Sequence, residues 1–251
     1  MIERGLLVRH DAVIRSLTVT RTTTLSPGFC RVTVSGDDLD GFASPGPADH
    51  IKIVLENGER RDYTPREFRA ATPGNAAELD IDFFLHGDGP AANWARGAVS
   101  GDPVRVGGPR GSRLPPTGAG RVVLAGDESS LPALARWIEL LPEETEIFGF
   151  VELDNPSDAA YLNPDHVHRA RIVWLDKAVG VLERAIRSFG PIDDATFLWI
   201  AGEATSLIPI RRYLRRELGL AQPQVSIDGY WRLGEANRDH HAPIDPDDPE
   251  D

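Results

Sequence analysis

A change of hydrophobic period across Leu114-Pro115-Pro116-Thr117-Gly118-Ala119-Gly120 constrains the fold of this 251-residue chain more than any other feature. Before it, short apolar/polar alternation recurs at 12–24, 29–35, 50–56, 79–86 and 102–106, as in Val13, Leu17 and Val19 set among Arg15, Thr18 and Thr20. Alternation with period two marks half-buried strands, and several such strands joined by Gly and Pro imply an antiparallel sandwich or barrel. One helix interrupts at 90–99, with Pro90 in the first turn, where its missing N–H costs no hydrogen bond. After the break, continuous apolar runs at 121–125, 146–151, 171–174 and 196–200 alternate with helical patterns near 131–141, 179–188 and 206–218. That is the texture of βαβ units and a buried parallel sheet.

The reading is therefore a two-domain α/β chain, with an antiparallel β-barrel at 1–117 and a doubly wound α/β domain at 118–239. The length suits it, since single domains usually hold about 100–150 residues. From His240 to Asp251 three prolines and a run of acids show no apolar spacing, so 240–251 is expected to be a frayed, solvated tail.

Charge excludes some partners. Thirty-nine acidic against 27 basic side chains give a net charge of −12, which repels a phosphate backbone, so nucleic acid is not expected. No stretch reaches the 18 or so apolar residues of a membrane span, and the N-terminus lacks the apolar core of a secretory signal. Cys30 is the single cysteine, so an internal disulfide is ruled out. A cytoplasmic monomer without membrane insertion is expected. His166, His168, His240 and His241 show no metal-ligand spacing, so they read as surface residues and no structural metal is expected.

Within the first domain, Arg61-Asp62-Tyr63-Thr64-Pro65-Arg66 combines an aromatic face, two guanidinium groups and a hydroxyl. A flavin needs those parts: an apolar face for its ring, a hydrogen-bond donor for its reactive nitrogen, and positive charge for its phosphates. A solvated, arginine-rich edge strand fits the six residues equally well. Downstream, Phe83-Phe84-Leu85-His86-Gly87-Asp88-Gly89-Pro90 leads a strand through glycines to a helix N-terminus, where a pyrophosphate can approach free N–H groups. In the second domain, Ala125-Gly126-Asp127-Glu128-Ser129-Ser130 carries one glycine where dinucleotide folds usually show G-x-G-x-x-G. Its acids suit a helix N-terminus but oppose a pyrophosphate, and Asp127 reads either as an N-cap or as a cofactor contact.

These stretches, in this order, with Gly108-Pro109-Arg110-Gly111-Ser112, Trp199-Ile200-Ala201-Gly202-Glu203-Ala204 and Gly229-Tyr230-Trp231-Arg232-Leu233-Gly234, resemble the siderophore-interacting protein family, ferric-siderophore reductases of the ferredoxin-reductase superfamily. The resemblance covers about residues 61–234. It implies an enzyme with FAD as cofactor that takes hydride from NADH or NADPH, reduces Fe(III) held in a ferric siderophore and releases Fe(II). Tyr63 is then expected against the flavin ring and Thr64 at its centre, with Arg61 and Arg66 on its edge or phosphates. His86, Gly87, Gly89, Pro90, Ala91 and Trp94 are expected to shape its phosphate and adenine end. Gly126, Asp127, Glu128, Ser129, Ser130, Gly202, Glu203 and Ala204 are expected to line the nicotinamide site. Gly202-Glu203-Ala204 departs from the Cys-Gly-Pro of plant-type reductases. Glu152 is either a ribose acceptor that favours NADH or an ordinary surface acid. Lys52, with Arg232 second, is the expected contact for the anionic chelate, with a plain outward lysine as the alternative. No side chain is assigned as a catalytic acid or base; Tyr63 and Thr64 tune the flavin. The competing readings are a non-enzymatic siderophore- or flavin-binding module and a reductase served by ferredoxin or another electron partner.

Overall fold

The structure is a computed structural model that describes residues 1–55, 58–235, 238–239 and 242–249. It divides into two compact units, Leu6–Leu114 and Pro115–Asp251, the second joined by residues 1–5. The expected boundary lay at 117/118, three residues later, and left the N-terminal residues with the barrel.

The first unit holds β1 (Leu7–Arg9), β2 (Ile14–Ser26), β3 (Phe29–Ser35), β4 (Ile51–Val54), β5 (Arg60–Tyr63), β6 (Pro65–Arg69), β7 (Glu78–Phe84), α1 (Pro90–Gly97), β8 (Pro103–Gly107) and β9 (Gly111–Arg113). Seven of these strands form one antiparallel sheet in the order β5-β4-β8-β2-β3-β7-β6, and β1 pairs with β9 separately. The edge strands β5 and β6 are adjacent in sequence, separated by Thr64 alone. One residue cannot span a flat sheet whose strands lie about 4.8 Å apart, so the sheet curls until its two edges meet at Thr64. Alternate residues fill the inside: Leu17, Val19, Val32, Val34, Ile51, Ile53, Ile81, Phe83, Val104 and Val106 are all buried. On the outer face, Arg21, Arg31 and Arg69 interleave with Glu78, Asp80 and Asp82, Arg31 holding Asp82 through two bonds of 2.7 and 2.8 Å.

The second unit runs β10 (Arg121–Gly126), α2 (Leu131–Leu140), β11 (Glu146–Leu153), α3 (Pro164–Arg169), β12 (Ile172–Asp176), α4 (Val181–Ser188), β13 (Thr196–Glu203), α5 (Ala204–Arg212) and β14 (Val225–Trp231). Its sheet is parallel, in the order β12-β11-β10-β13-β14. Period two along β13 sorts the helices onto opposite faces. Leu198 and Ile200 pack with Leu182 and Ile186 of α4 and Leu207 and Ile210 of α5, whereas Phe197 and Trp199 stack on Trp137 of α2 at 5.6 and 6.0 Å. The expected α/β two-domain architecture is thus the observed one. Among the described residues no helix is long and apolar enough to cross a membrane.

Two expectations need correction. Strand β11 reaches Leu153 and α5 starts at Ala204, so Glu152 lies within a strand and not beyond one. The C-terminal segment also departs from the frayed tail expected of it. Ile244 is buried among Leu207, Leu214 and their neighbours, Asp245 pairs with Arg212 at 2.6 Å, and Asp248 pairs with Arg211 at 2.9 Å and with Arg216. Its acids answer the arginines at the end of α5 and in the turn at 213–217 that follows, a complementarity that spacing within the tail does not reveal. His240 and His241 lie outside the described residues.

Candidate functional site

In the first unit the residues expected around a flavin gather where the sheet edges meet. The Tyr63 ring, at the end of β5, packs on Phe83 of β7 at 4.3 Å, and Phe83 packs on Trp94 of α1 at 5.5 Å. One ring thus links the first motif to the second, and Phe83 was not singled out from sequence because an inward phenylalanine on a strand looks like any core residue. Burial pushes the Tyr63 hydroxyl up to about 12, so it stays protonated and can donate. Thr64 is buried beside it, and Arg66 is half-buried.

The turn between β7 and α1 is held from below. Arg96 donates to the Leu85 and Gly87 carbonyls at 2.8 and 2.9 Å, and Asn93 donates to the Asp88 carbonyl at 3.0 Å. Gly87 sits at φ +56°, which favours glycine. Gly89 differs: its φ is −63°, and a Cβ there would meet nothing within 4 Å. The protein's own packing therefore does not require glycine at 89. What its small size provides is open space above the first turn of an eight-residue helix, whose N–H groups and dipole attract an anion. These residues fit the pyrophosphate of a dinucleotide. His86 is exposed against Phe84 at 5.2 Å, Pro90 is exposed, and Ala91 is buried toward the sheet.

Other expected contacts are engaged within the chain. Arg61 pairs with Glu59 at 2.7 Å. Lys52 of β4 is opposite Asp62 of β5 and donates to both carboxylate oxygens at 2.8 and 2.9 Å, so the lysine assigned to the chelate already has a counter-charge. In the second unit, Arg232 donates to the Ile244 carbonyl at 3.3 Å. A cavity of about 400 Å³ in the first unit is lined by Arg9, His10, Asp11, Arg15, Asp38 and Asp40, none of them anticipated from sequence.

In the second unit the strand order reverses between β10 and β13. Ligands bind open parallel sheets at the carboxyl ends of the strands flanking such a point, and that is where Gly126-Asp127 and Gly202-Glu203 lie. Asp127 is 1% exposed and its carboxylate is fully used. Oδ1 accepts from the Ser129 N–H at 2.9 Å and its hydroxyl at 2.5 Å; Oδ2 accepts from the Glu203 N–H at 2.9 Å and Trp231 Nε1 at 2.8 Å. It is the N-cap of the turn at 128–130, one of its two sequence readings, and also ties together the ends of β10, β13 and β14. A Cβ at Gly202 would stand 2.8 Å from Asp127 Oδ2, and one at Gly126 would strike the Ala201 carbonyl and Ser130. Both glycines are explained by packing. Ala204 is buried where a Cβ on Gly229 would come within 2.9 Å of its own. Burial pushes Glu203 up, but the Ser206 and Leu233 N–H groups, at 2.7 and 3.2 Å, outweigh it and hold the carboxyl below its ordinary value.

At the neighbouring strand end lies an acidic group centred on Glu152. Glu128 is 1% exposed, accepts from the Asp154 N–H and stands 3.8 Å from Lys177. Lys177 bonds Asp154 at 2.9 Å and lies 5.5 Å above the Trp231 ring. Glu152, 6% exposed, meets no hydrogen bond or ion pair among the described residues, and burial together with Asp127 pushes it up to about 7. The surface-acid reading of Glu152 is thereby corrected.

An antiparallel barrel-like unit followed by a parallel sheet of this order is the ferredoxin-reductase-like fold. The cytochrome b5 reductase domain of Ulva prolifera nitrate reductase shares the fold, with a TM-score of 0.64 at 14% identity over 86% of this chain and 96% of that one. Within the class, residues 18–60 and 56–113 match the siderophore-interacting FAD-binding domain and 119–234 the siderophore-interacting protein model. The NADPH-dependent ferric-chelate reductase of Escherichia coli is 33% identical over 89% of this chain and 95% of its own length. A siderophore utilization protein from T. fusca is 35% identical, with a TM-score of 0.84 over 96% of this chain and all of that one. The chain belongs to the siderophore-interacting protein family.

Proposed function

We propose that this protein is an FAD-dependent reductase that takes hydride from a nicotinamide cofactor and delivers electrons to Fe(III) in a siderophore. The observation that carries this reading is the unneeded glycine at 89, open above the α1 N-terminus and linked through Trp94 and Phe83 to Tyr63. It is joined by the match of residues 18–113 to an FAD-binding domain. Tyr63, Thr64 and Arg66 would hold the flavin ring and its edge, and Gly87, Gly89 and Pro90 its pyrophosphate. Bound FAD supplies a carrier that accepts two electrons as hydride and can pass them on singly.

The chain's own residues orient and shield. Tyr63 remains a neutral donor at any physiological pH, and Phe83 and Trp94 fix its ring. Arg96 fixes the phosphate turn. No side chain has to move a proton, because the overall balance is NADH plus two Fe(III) giving NAD⁺, H⁺ and two Fe(II). Ferrous iron carries less charge and is held less firmly by hard oxygen ligands, so reduction frees it. Ferredoxin as electron source is the second reading, and the same assay with each donor separates them.

The test is a purified protein, reconstituted with FAD, mixed anaerobically with NADH and then with a ferric siderophore and a ferrous chelator. Bleaching of the yellow colour followed by chelated Fe(II) supports the reading. A protein that binds no FAD overturns it.

A further inference from the structure

We infer that the cavity beside the start of β2 is a binding site for a small zwitterion, an amino acid or a molecule that ends in one, with its carboxylate on Arg15 and its ammonium on Asp40 and His10. The site goes beyond the proposed reductase reaction and does not rest on it.

Three observations support it. The first is an unfilled donor edge. Arg15 sits on the inward face of β2, in line with Leu17 and Val19, and is 7% exposed. Its guanidinium makes one hydrogen bond among the described residues, from Nη1 to the Gly108 carbonyl at 2.9 Å, and Nε is buried with no acceptor. The edge that carries Nε and Nη2 is one that grips both oxygens of a carboxylate. Arg31, Arg212 and Arg216 each give that edge to an aspartate, to Asp82, Asp245 and Asp248 in turn. At Arg15 the protein supplies no such partner. The Phe42 ring, 5.1 Å from the guanidinium carbon, eases the charge without accepting a hydrogen bond from it. Asp38 attracts it, but burial outweighs that pull and lowers its basicity. A buried cation in this state is costly until an anion pairs with it.

The second is space. Arg15 lines the cavity of about 400 Å³, a size within the range of roughly 300–1,000 Å³ that holds small ligands. Lys52 alternates with the buried Ile51 and Ile53 and so lies on the outward face of the sheet, away from this inward group.

The third is the set of acceptors around the cavity. Asp11 and Asp40 line it with exposed carboxylates that meet no hydrogen bond or ion pair among the described residues, and Asp38 spends one oxygen on the Ser16 N–H. His10 has its polarity fixed. The buried Ser112 hydroxyl donates to Asp49, so its oxygen accepts from His10 Nε2 at 2.8 Å, and Nδ1 of the neutral ring is left as an acceptor. Three aspartates against two arginines make the lining negative on balance, which opposes a bare carboxylate. A zwitterion adds no net charge and meets donors at one end and acceptors at the other.

The test is calorimetric titration of the FAD-loaded protein with three probes. They are L-lysine, hexanoate, which has a carboxylate and no amine, and hexylamine, which has an amine and no carboxylate. L-Lysine should bind, and each of the other two should bind at least about tenfold more weakly. Arg15→Lys keeps the charge but loses the fork, and should weaken L-lysine by about tenfold. Asp40→Asn should weaken L-lysine several-fold and leave hexanoate no weaker. Its side chain is exposed, so it carries the test should Arg15→Lys fail to fold. No heat from L-lysine up to about 10 mM would overturn the inference, as would hexanoate or hexylamine binding as tightly as L-lysine. Wild-type affinity for L-lysine in either folded variant would overturn it as well. The reductase reading stands or falls separately, on the anaerobic assay.

Discussion

Two glycines close to proposed ligand sites answer to different physics. Gly202 is small because Asp127 needs the space, whereas a Cβ on Gly89 would meet nothing within 4 Å among the described residues. Gly89→Ala should therefore leave the melting temperature of the FAD-free protein unchanged and lower FAD affinity by about tenfold, the order expected when a phosphate is pushed off a helix N-terminus. Equal FAD affinity by fluorescence titration would remove position 89 from the site. Asp127→Ala is a contrasting case, since it leaves the Glu203 N–H and Trp231 Nε1 without their acceptor. At about 1–3 kcal/mol for each buried donor left unsatisfied, urea denaturation should show a loss of several kcal/mol whether or not nucleotide is present.

Glu152 makes a pH prediction whose sign is opposite to that of most carboxylates. Its native value, raised by burial and by Asp127 to about 7, exceeds the ordinary 4.5. The native state therefore binds the proton more tightly, and the stability it contributes is complete below about pH 4.5 and lost as pH rises through 7. Wild type should lose stability relative to Glu152→Gln across that window by up to about 3 kcal/mol, at 1.4 kcal/mol per unit. Parallel stability curves for the two proteins from pH 5 to 8 would contradict the assignment.

At the scale of elements, the legible parts of the sequence were those in which side-chain period and burial coincide. Phe29–Ser35 and Leu131–Leu140 announce themselves because one face, or every face, is apolar. β6, Pro-Arg-Glu-Phe-Arg, and β14, Val-Ser-Ile-Asp-Gly-Tyr-Trp, were not legible as strands. Each lies at an edge of its sheet, where one side carries no ladder and polar residues are tolerated. The order in the C-terminal segment escapes the sequence for a related reason: its acids find their partners on α5 and the turn at 213–217 that follows it, about 30 residues earlier. Asp245 and Asp248 are held below their ordinary values first of all by hydrogen bonds from Arg212 and Arg216. Removing residues 242–251 should lower the melting temperature of the FAD-free protein, because Ile244 leaves the core and the buried Arg211 loses Asp248. An unchanged melting temperature would mean the segment adds nothing.

For the whole molecule, the two-part organisation followed from one change of period, and the order of motifs pointed to the family. What the sequence left open was which motif residues face a ligand. Asp127, Gly126 and Gly202 look like a nucleotide loop in one dimension and are a packing joint in three. Glu152 looks like a surface acid and is only 6% exposed. Single-letter context does not report burial, and burial decides between those readings.

The central claim, that electrons pass from a nicotinamide donor through bound FAD to siderophore iron, is tested most directly by stoichiometry. FAD-loaded protein is given a limiting amount of NADH anaerobically with excess ferric siderophore, and NADH loss at 340 nm is compared with chelated Fe(II). The account predicts two Fe(II) for each NADH consumed, and no Fe(II) when FAD is omitted. Fe(II) release that is independent of FAD, or NADH oxidation with no Fe(II) formed, would contradict it.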